Sequence, residues 1–244
     1  MTPFEQTSGT LVNVITVLAG SAAGLALRGK LPERIVATVV QALGLTTVIV
    51  GVVNALDLTK VASPPGLIVG LSALAGGAAL GEWWRLDDLL ERLGERLKRR
   101  FGGQGSFTQG FVTASLLFCV GPLALIGSVQ NGLAGDNNFL ILKSALDGIA
   151  SLALATSFGF GVAFSAVTVF VYQGGISLGA GFFAELVPNP ATDPRILLVN
   201  GVGGIMILGL GLDLLQVRRM RIAAMLPALL LVIAFYQLAK LFYA

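Results

Sequence analysis

The stretch Ile35-Val36-Ala37-Thr38-Val39-Val40-Gln41-Ala42-Leu43-Gly44-Leu45-Thr46-Thr47-Val48-Ile49-Val50-Gly51-Val52-Val53-Asn54-Ala55-Leu56 decides the fold class. Its 22 residues include no charge. As a helix rising about 1.5 Å per residue it reaches ~33 Å, enough to cross the hydrocarbon core of a bilayer. A soluble helix of that length needs a polar face. This one offers only Gln41, Asn54 and three threonines, so it reads as a membrane span. Seven further segments follow the same pattern: Thr10–Leu27, Gly66–Trp84, Phe111–Ser128, Phe139–Ser157, Gly161–Phe183, Ile196–Gln216 and Ile222–Phe242. Pro64-Pro65 and Pro188-Asn189-Pro190 punctuate loops before the third and seventh. The short Phe158-Gly159-Phe160 joins the fifth and sixth, which are read as two spans, with a re-entrant hairpin as the alternative.

Composition agrees. Charged residues make up 12% of the 244 residues, hydrophobic residues 55%, and the mean hydropathy is +0.85. A soluble domain carries about 25% charge to face water. The expected architecture is an all-α, polytopic membrane protein of about eight spans in one transmembrane domain over 1–244. Within it, 10–81 hold three helices, 82–104 a cytoplasmic amphipathic helix, 107–184 three more helices and 194–244 the last two.

The basic residues fix an expected orientation. Arg28, Lys30 and Arg34 follow the first span. Arg85, Arg92, Arg96, Lys98, Arg99 and Arg100 follow the third, and Arg218, Arg219 and Arg221 follow the seventh. With eight spans these three loops share one side and hold 12 of the 16 Lys and Arg residues. The positive-inside rule places them in the cytoplasm and both termini outside. Met1–Gly9 has no Lys or Arg, so it lacks the basic region of a secretory signal, and the first apolar run is expected to be retained. Glu82–Phe101 is amphipathic: Leu86, Leu89, Leu90, Leu93 and Leu97 share a helical face, with Trp83 and Trp84 at its entrance. It suits either the inner leaflet, its Lys98-Arg99-Arg100 end near anionic lipid, or the chain's own loops. Five acids offset the six bases here, which argues against a nucleic-acid partner despite the net charge of +3.

An ionised side chain at mid-membrane costs about 3 kcal/mol or more, so each needs a partner, a cavity or a role. Asp147 is the clearest case, with Lys143 one turn away and Ser144 and Ser151 flanking the stripe. It reads as a carboxylate that binds a cation or carries a proton, or as half of a self-satisfied ion pair. Asp213, near the expected cytoplasmic end of its span, is explained by snorkelling or by Arg218. In Phe118-Cys119-Val120-Gly121-Pro122, the proline predicts a kink or unwinding near Gly121. In Tyr172-Gln173-Gly174-Gly175, an amide and two glycines predict a second weakness. Two interrupted helices beside a buried carboxylate point to a transporter site. Asn13, Gln41 and Asn200 are polar residues that line such a cavity or bond between helices.

Two internal echoes are visible. Leu11-Val12-Asn13, Gly24-Leu25, Leu27, Arg34-Ile35 and Ala37 recur 187 residues later as Leu198-Val199-Asn200, Gly211-Leu212, Leu214, Arg221-Ile222 and Ala224. Gly76-Gly77-Ala78-Ala79-Leu80-Gly81 resembles Gly174-Gly175-Ile176-Ser177-Leu178-Gly179. Small-residue spacings Gly20/Gly24, Gly77/Gly81 and Gly175/Gly179 permit close helix contact, between subunits of a homo-oligomer or within one.

Cys119-Val120-Gly121-Pro122, Ile126-Gly127-Ser128-Val129-Gln130-Asn131-Gly132-Leu133-Ala134-Gly135-Asp136, Lys143-Ser144 with Asp147-Gly148, and Tyr172-Gln173-Gly174-Gly175-Ile176 together resemble one bacterial inner-membrane family, domain of unknown function 554. The likeness extends to Asn13 and Gly20-Ser21 and covers nearly the whole chain. It implies a multi-pass bacterial membrane protein of unassigned activity, with transport as the suggested role, and carries no substrate or catalytic residues with it.

The functional expectation is a secondary transporter or ion-conducting protein for a small solute, cation or proton. Its binding residues are Asp147, Lys143, Ser144, Gln173, Ser128, Gly121, Asn13 and Asn200. The alternative is a structural, scaffolding protein without transport. An enzyme is not expected: the chain has no histidine and one cysteine, Cys119, in apolar surroundings where a thiol is inert. That composition also leaves no Cys/His metal site, and no cofactor is expected.

Overall fold

Helix α1 (Pro3–Leu27) starts seven residues before the apolar run because its N-terminus is built from polar parts. Pro3 occupies the first turn. The Thr2 hydroxyl accepts from the Glu5 N–H at 3.3 Å, and the Glu5 carboxylate accepts from the Thr2 N–H at 2.7 Å, a capping box. Helix α2 (Glu33–Ala55) continues into a 3₁₀ turn, Leu56–Lys60. α3 (Gly66–Trp83) ends before Arg85, whose positive φ of 54° turns the chain into α4 (Leu86–Arg100). α5 (Phe107–Cys119), α6 (Pro122–Ala134), α7 (Asn138–Phe158) and α8 (Gly161–Leu178) follow, then α9 (Pro194–Leu214), a 3₁₀ turn Ile222–Met225, and α10 (Ala228–Tyr243).

This computed structural model describes residues 2–103, 105–180 and 192–243. Positions 181–183 of the sixth expected span and the Pro188-Asn189-Pro190 loop lie outside the described residues. Among the described residues there is no strand. Seven helical stretches are long and apolar enough to cross a membrane, and α5 with α6 form a bent pair at 59° that makes an eighth if counted as one span. The chain is an all-α polytopic membrane protein. The fifth and sixth segments, α7 and α8, are separate helices of spanning length.

One expectation is corrected. Gly174-Gly175 does not interrupt its helix, since α8 is continuous through both. The intrinsic cost of glycine in a helix, about 1 kcal/mol in water, is mainly lost backbone freedom and is too small to break a span. In lipid every backbone group must be satisfied inside the helix.

Helix α2 is inside out relative to a soluble helix. On α2 the buried residues are Gly44, Thr47 and Gly51, whereas Leu45, Ile49 and Val53 are each more than half exposed. Large aliphatic side chains at that exposure require hydrocarbon as solvent, and small residues facing inward let backbones approach closely.

The chain divides into two compact units, Met1–Leu43 with Glu91–Pro188 and Gly44–Leu90 with Asn189–Ala244. In the first, α1 lies along α7 and α8. Side chains added at Gly20 and Gly24 would strike the Gly148 and Leu152 carbonyls. In the second, α3 packs on α10 and on the 3₁₀ turn before it, with Gly77 against Ala228 and Gly81 against Ala224. These two glycine pairs serve contacts within the chain.

α4 meets different surroundings on different faces. Its first turn belongs to the second unit, where the Asp87 carboxylate accepts from the Ala224 N–H at 3.0 Å. Arg221 lies 2.8 Å from Glu82, 3.6 Å from Asp87 and 3.4 Å from Asp88. Gly94 faces Thr108, whose hydroxyl donates to Glu95 at 2.6 Å. Leu89 and Leu93, with Trp83 and Trp84 before the helix, stay exposed. Of the five leucines on the expected apolar face, then, the edge at Leu89 and Leu93 is open, while Gly94 marks the inward side.

Candidate functional site

The polar residues of the first unit gather where α1, α7 and α8 meet beside the end of α5. The i, i+4 spacing on α7 puts Lys143 and Asp147 on one face, and the Lys143 ammonium is ion-paired to Asp147 Oδ2. Asn13 of α1 donates from Nδ2 to that same oxygen at 2.9 Å and to Gln173 Oε1 of α8 at 3.2 Å. No donor among the described residues reaches Asp147 Oδ1. Lys143 is 4% exposed, Asp147 7%, and Asn13 and Gln173 are fully buried. Such a pair persists in hydrocarbon because each charge neutralises the other and Asn13 adds a hydrogen bond.

The amide chemistry leaves a residue. A carboxylate only accepts, so Asn13 must turn its NH₂ toward Asp147, and its carbonyl Oδ1 then points away. Gln173 spends its carbonyl on Asn13, which leaves its NH₂ over. Asn13 Oδ1 and Gln173 Nε2 are both buried without a partner among the described residues. The site therefore holds a neutralised ion pair plus one free acceptor and one free donor.

The broken helix lies alongside. Lys143 Nζ is 5.9 Å from the ring centroid of Phe118, two residues before the break. α5 ends at Cys119 and α6 restarts at Pro122, with Gly121 extended at φ −76° and ψ 152°. The kink expected at Gly121-Pro122 is present, with its cause in the missing proline N–H.

The sequence pattern of the family described as "Protein of unknown function (DUF554)" matches residues 8–237. The chain belongs to that family. An "Uncharacterized membrane protein YdfK" from Bacillus subtilis (strain 168) is 32% identical over 223 residues, covering 91% of this chain and 93% of the relative. An "Uncharacterized protein YqgA" from Escherichia coli (strain K12) is 29% identical over 230 residues, again covering 91% and 93%. No solved structure matches the chain. The DUF554 resemblance read from the motifs between Cys119 and Gly148 is thus shown across nearly the whole length.

The remaining expected site residues of this DUF554 protein are placed as follows. Ser144 is buried on α7, and its hydroxyl donates to the Leu140 carbonyl at 2.6 Å, within its own helix. Ser128 on α6 accepts at its carbonyl from the Ser177 hydroxyl at 3.0 Å, while its own Oγ has no partner among the described residues. Asn200 belongs to the second unit, where its Nδ2 donates to Asp57 Oδ2 at 3.4 Å. It joins a different polar group from that of Asp147.

Two residues of the first unit were missed. Thr10, one turn before Asn13, is fully buried with Oγ1 unpartnered among the described residues, and its methyl faces Gly174. The signal was there: Thr10 and Asn13 are i, i+3 on one face. Asn131 knits α6 to α1, its Oδ1 accepting from the Gly9 N–H at 3.0 Å and its Nδ2 donating to Ser8 Oγ at 3.1 Å.

Proposed function

We propose that the protein is a secondary transporter or ion-conducting protein of the bacterial inner membrane, moving a small solute, a cation or a proton through the polar site around Asp147. One observation carries this reading. Asn13 Oδ1 and Gln173 Nε2 stand unpartnered beside a buried ion pair that needs neither of them. A pair retained only for stability has no use for leftover polar groups, each of which costs about 1–3 kcal/mol when buried. A small polar solute satisfies both, and a cation or a hydrated proton satisfies Oδ1. The break beside Phe118 supplies movable backbone next to the pair, as transporter sites built on discontinuous helices do. The orientation that fits has both termini outside and the basic loops in the cytoplasm.

The scaffolding alternative relied on glycine spacings for subunit contact. Gly20, Gly24, Gly77 and Gly81 already meet neighbours within the chain, which withdraws support from that reading. Gly175, with nothing within 4 Å of a Cβ placed there, stays open for a homo-oligomer contact. The reading assigns the chain no catalytic role.

The test is flux in proteoliposomes, with an entrapped pH dye under an imposed gradient and with labelled Na⁺ and K⁺ analogues. Asp147→Asn is expected to reduce flux at least tenfold. Unchanged flux in a folded variant would remove Asp147 from the mechanism.

A further inference from the structure

Acids and bases alternate along Glu82–Phe101 in sequence, but the helix sorts them onto different faces. In the part of α4 that belongs to the first unit, residues 91–100, Arg92, Leu93, Arg96 and Arg100 fall within one sector about 100° wide. Glu91 and Glu95 both lie outside it. All four residues of the sector are exposed, and Arg92, Arg96 and Arg100 hold no ion pair among the described residues. Glu91 and Glu95 are half-buried. Glu95 accepts from the Thr108 hydroxyl at 2.6 Å and has Lys98 at 3.8 Å. The outward face therefore carries three positive charges, one leucine and no acid.

This face stands where helices of the first unit end. Gly94, on the opposite side of α4, meets Thr108, the second residue of α5. Phe101, just past α4, lies on Phe164 with 4.7 Å between ring centroids. Phe107 and Phe160 close on the same ring at 5.5 and 5.3 Å. Phe107 opens α5 and Phe164 is in the first turn of α8. Arg28, just past α1, lies against Gly159 between α7 and α8. The second half of α4 is thus held to helix ends, at the depth where headgroups meet hydrocarbon. Leu93, Phe101 and Phe160 are 44%, 51% and 46% exposed there. Acyl chains cover such apolar side chains and lipid phosphates take the guanidinium groups, whereas a polynucleotide would leave the apolar ones uncovered.

We propose that the Arg92, Arg96 and Arg100 face of α4 binds anionic phospholipid of the leaflet it borders. The planar guanidinium groups take the phosphate oxygens, and Leu93 lies among the upper acyl carbons. Net charge makes the binding selective: each basic residue beside an anionic surface favours association roughly fivefold, and a zwitterionic headgroup offsets its phosphate with its own cation. The inference goes beyond the reading of the Asp147 site and does not depend on transport.

The experiment uses the full-length protein in phosphatidylcholine nanodiscs. The chain's two tryptophans are removed by Trp83→Phe and Trp84→Phe, and Leu93→Trp sets a single fluorescent reporter on the face. The discs hold the same minority of either phosphatidylglycerol or phosphatidylcholine brominated near the headgroup end of its chains. Quenching by the brominated phosphatidylglycerol is expected to be at least twofold greater. Arg92→Gln, Arg96→Gln and Arg100→Gln together are expected to bring the two lipids to equality. These arginines are exposed and without ion pairs among the described residues, so the triple variant keeps the fold, as circular dichroism will check. Three results overturn the proposal: equal quenching by the two lipids in the reporter protein, an undiminished excess in the folded triple variant, or quenching by neither lipid, which would put the face in water or against another protein. A protein that selects the anionic lipid yet carries no flux would leave this face standing and reject the transport reading alone.

Discussion

Lys143 and Asp147 permit a test that separates energetic from functional roles. Lys143→Met leaves a carboxylate that is 7% exposed with one hydrogen bond, from Asn13, and no counter-charge. Breaking one side of a buried pair costs about 3–5 kcal/mol. For a chain of this size each kcal/mol moves Tm by about 2–4 °C, so the single variant should lose ~6–20 °C. Asp147→Leu should fall in the same range, because Lys143 is as deeply buried. Lys143→Met with Asp147→Leu removes both charges and keeps the volume. Its remaining penalty is the lost acceptor for Asn13 Nδ2, about 1–3 kcal/mol. The double variant should therefore unfold at a higher temperature than either single one. The assay is thermal denaturation in detergent followed by size-exclusion fluorescence, paired with flux in liposomes. Recovered Tm with abolished flux is the expected result. If the single losses simply add in the double variant, the two charges are not coupled and the description of the site fails.

Further outcomes follow from other parts of the molecule. Gly81→Ala should destabilise by about 1–3 kcal/mol, as its Cβ would lie 2.6 Å from the Ala224 carbonyl carbon. Gly175→Ala, facing open space, should be neutral or gain a few tenths of a kcal/mol from helix propensity; equal Tm shifts in the two would refute the packing described. Burial holds the Asp87 carboxyl above the usual carboxylate range, against the opposing pull of the Ala224 N–H and Arg221. A group raised in the folded state favours the fold most at acid pH and loses that contribution as pH rises through its folded pKa. Asp87→Asn should accordingly flatten the stability profile across the carboxylate range in thermal scans from pH 4 to pH 7, and an unchanged slope would contradict this. Trp83 and Trp84 should be quenched by brominated lipids at the headgroup level in nanodiscs, whereas quenching by an aqueous agent alone would detach this edge from the bilayer. A phosphatase fused after Ala244 should be active outside the inner membrane; activity of a cytoplasmic reporter at that position would reverse the orientation.

The spans were legible because their signal is length and absence of charge, which one run such as Ile35–Leu56 displays without reference to the rest of the chain. The bend at Gly121 was legible for a similar reason, since Pro122 carries its missing donor wherever it is placed. The Lys143–Asp147 pair was readable from i, i+4 spacing alone. What spacing does not encode is which distant helix supplies the third partner. Asn13 and Asn200 look alike in sequence, and only the packing of α1 against α7 and of α9 against the turn at Asp57 assigns them to different groups. Gly174-Gly175 misled because a helix cost of about 1 kcal/mol per glycine is too small to break a span in lipid, where every backbone group must be satisfied inside the helix. The first turns of α1 were missed for the opposite reason: apolar periodicity is silent about Thr2, Pro3 and Glu5, whose capping chemistry is polar.

The inverted pattern of α2 bears on how sequence change in this protein should be interpreted. Where hydrocarbon is the outer solvent, one branched aliphatic residue on the surface exchanges for another with little consequence, so Ile49 and Val53 are interchangeable in kind. On α2 the packing is specified instead by its smallest side chains: a methyl group added at Gly51 would meet the backbone of Leu208. A substitution scan of α2 read with soluble-protein intuition, large residues critical and glycines permissive, would rank its positions backwards.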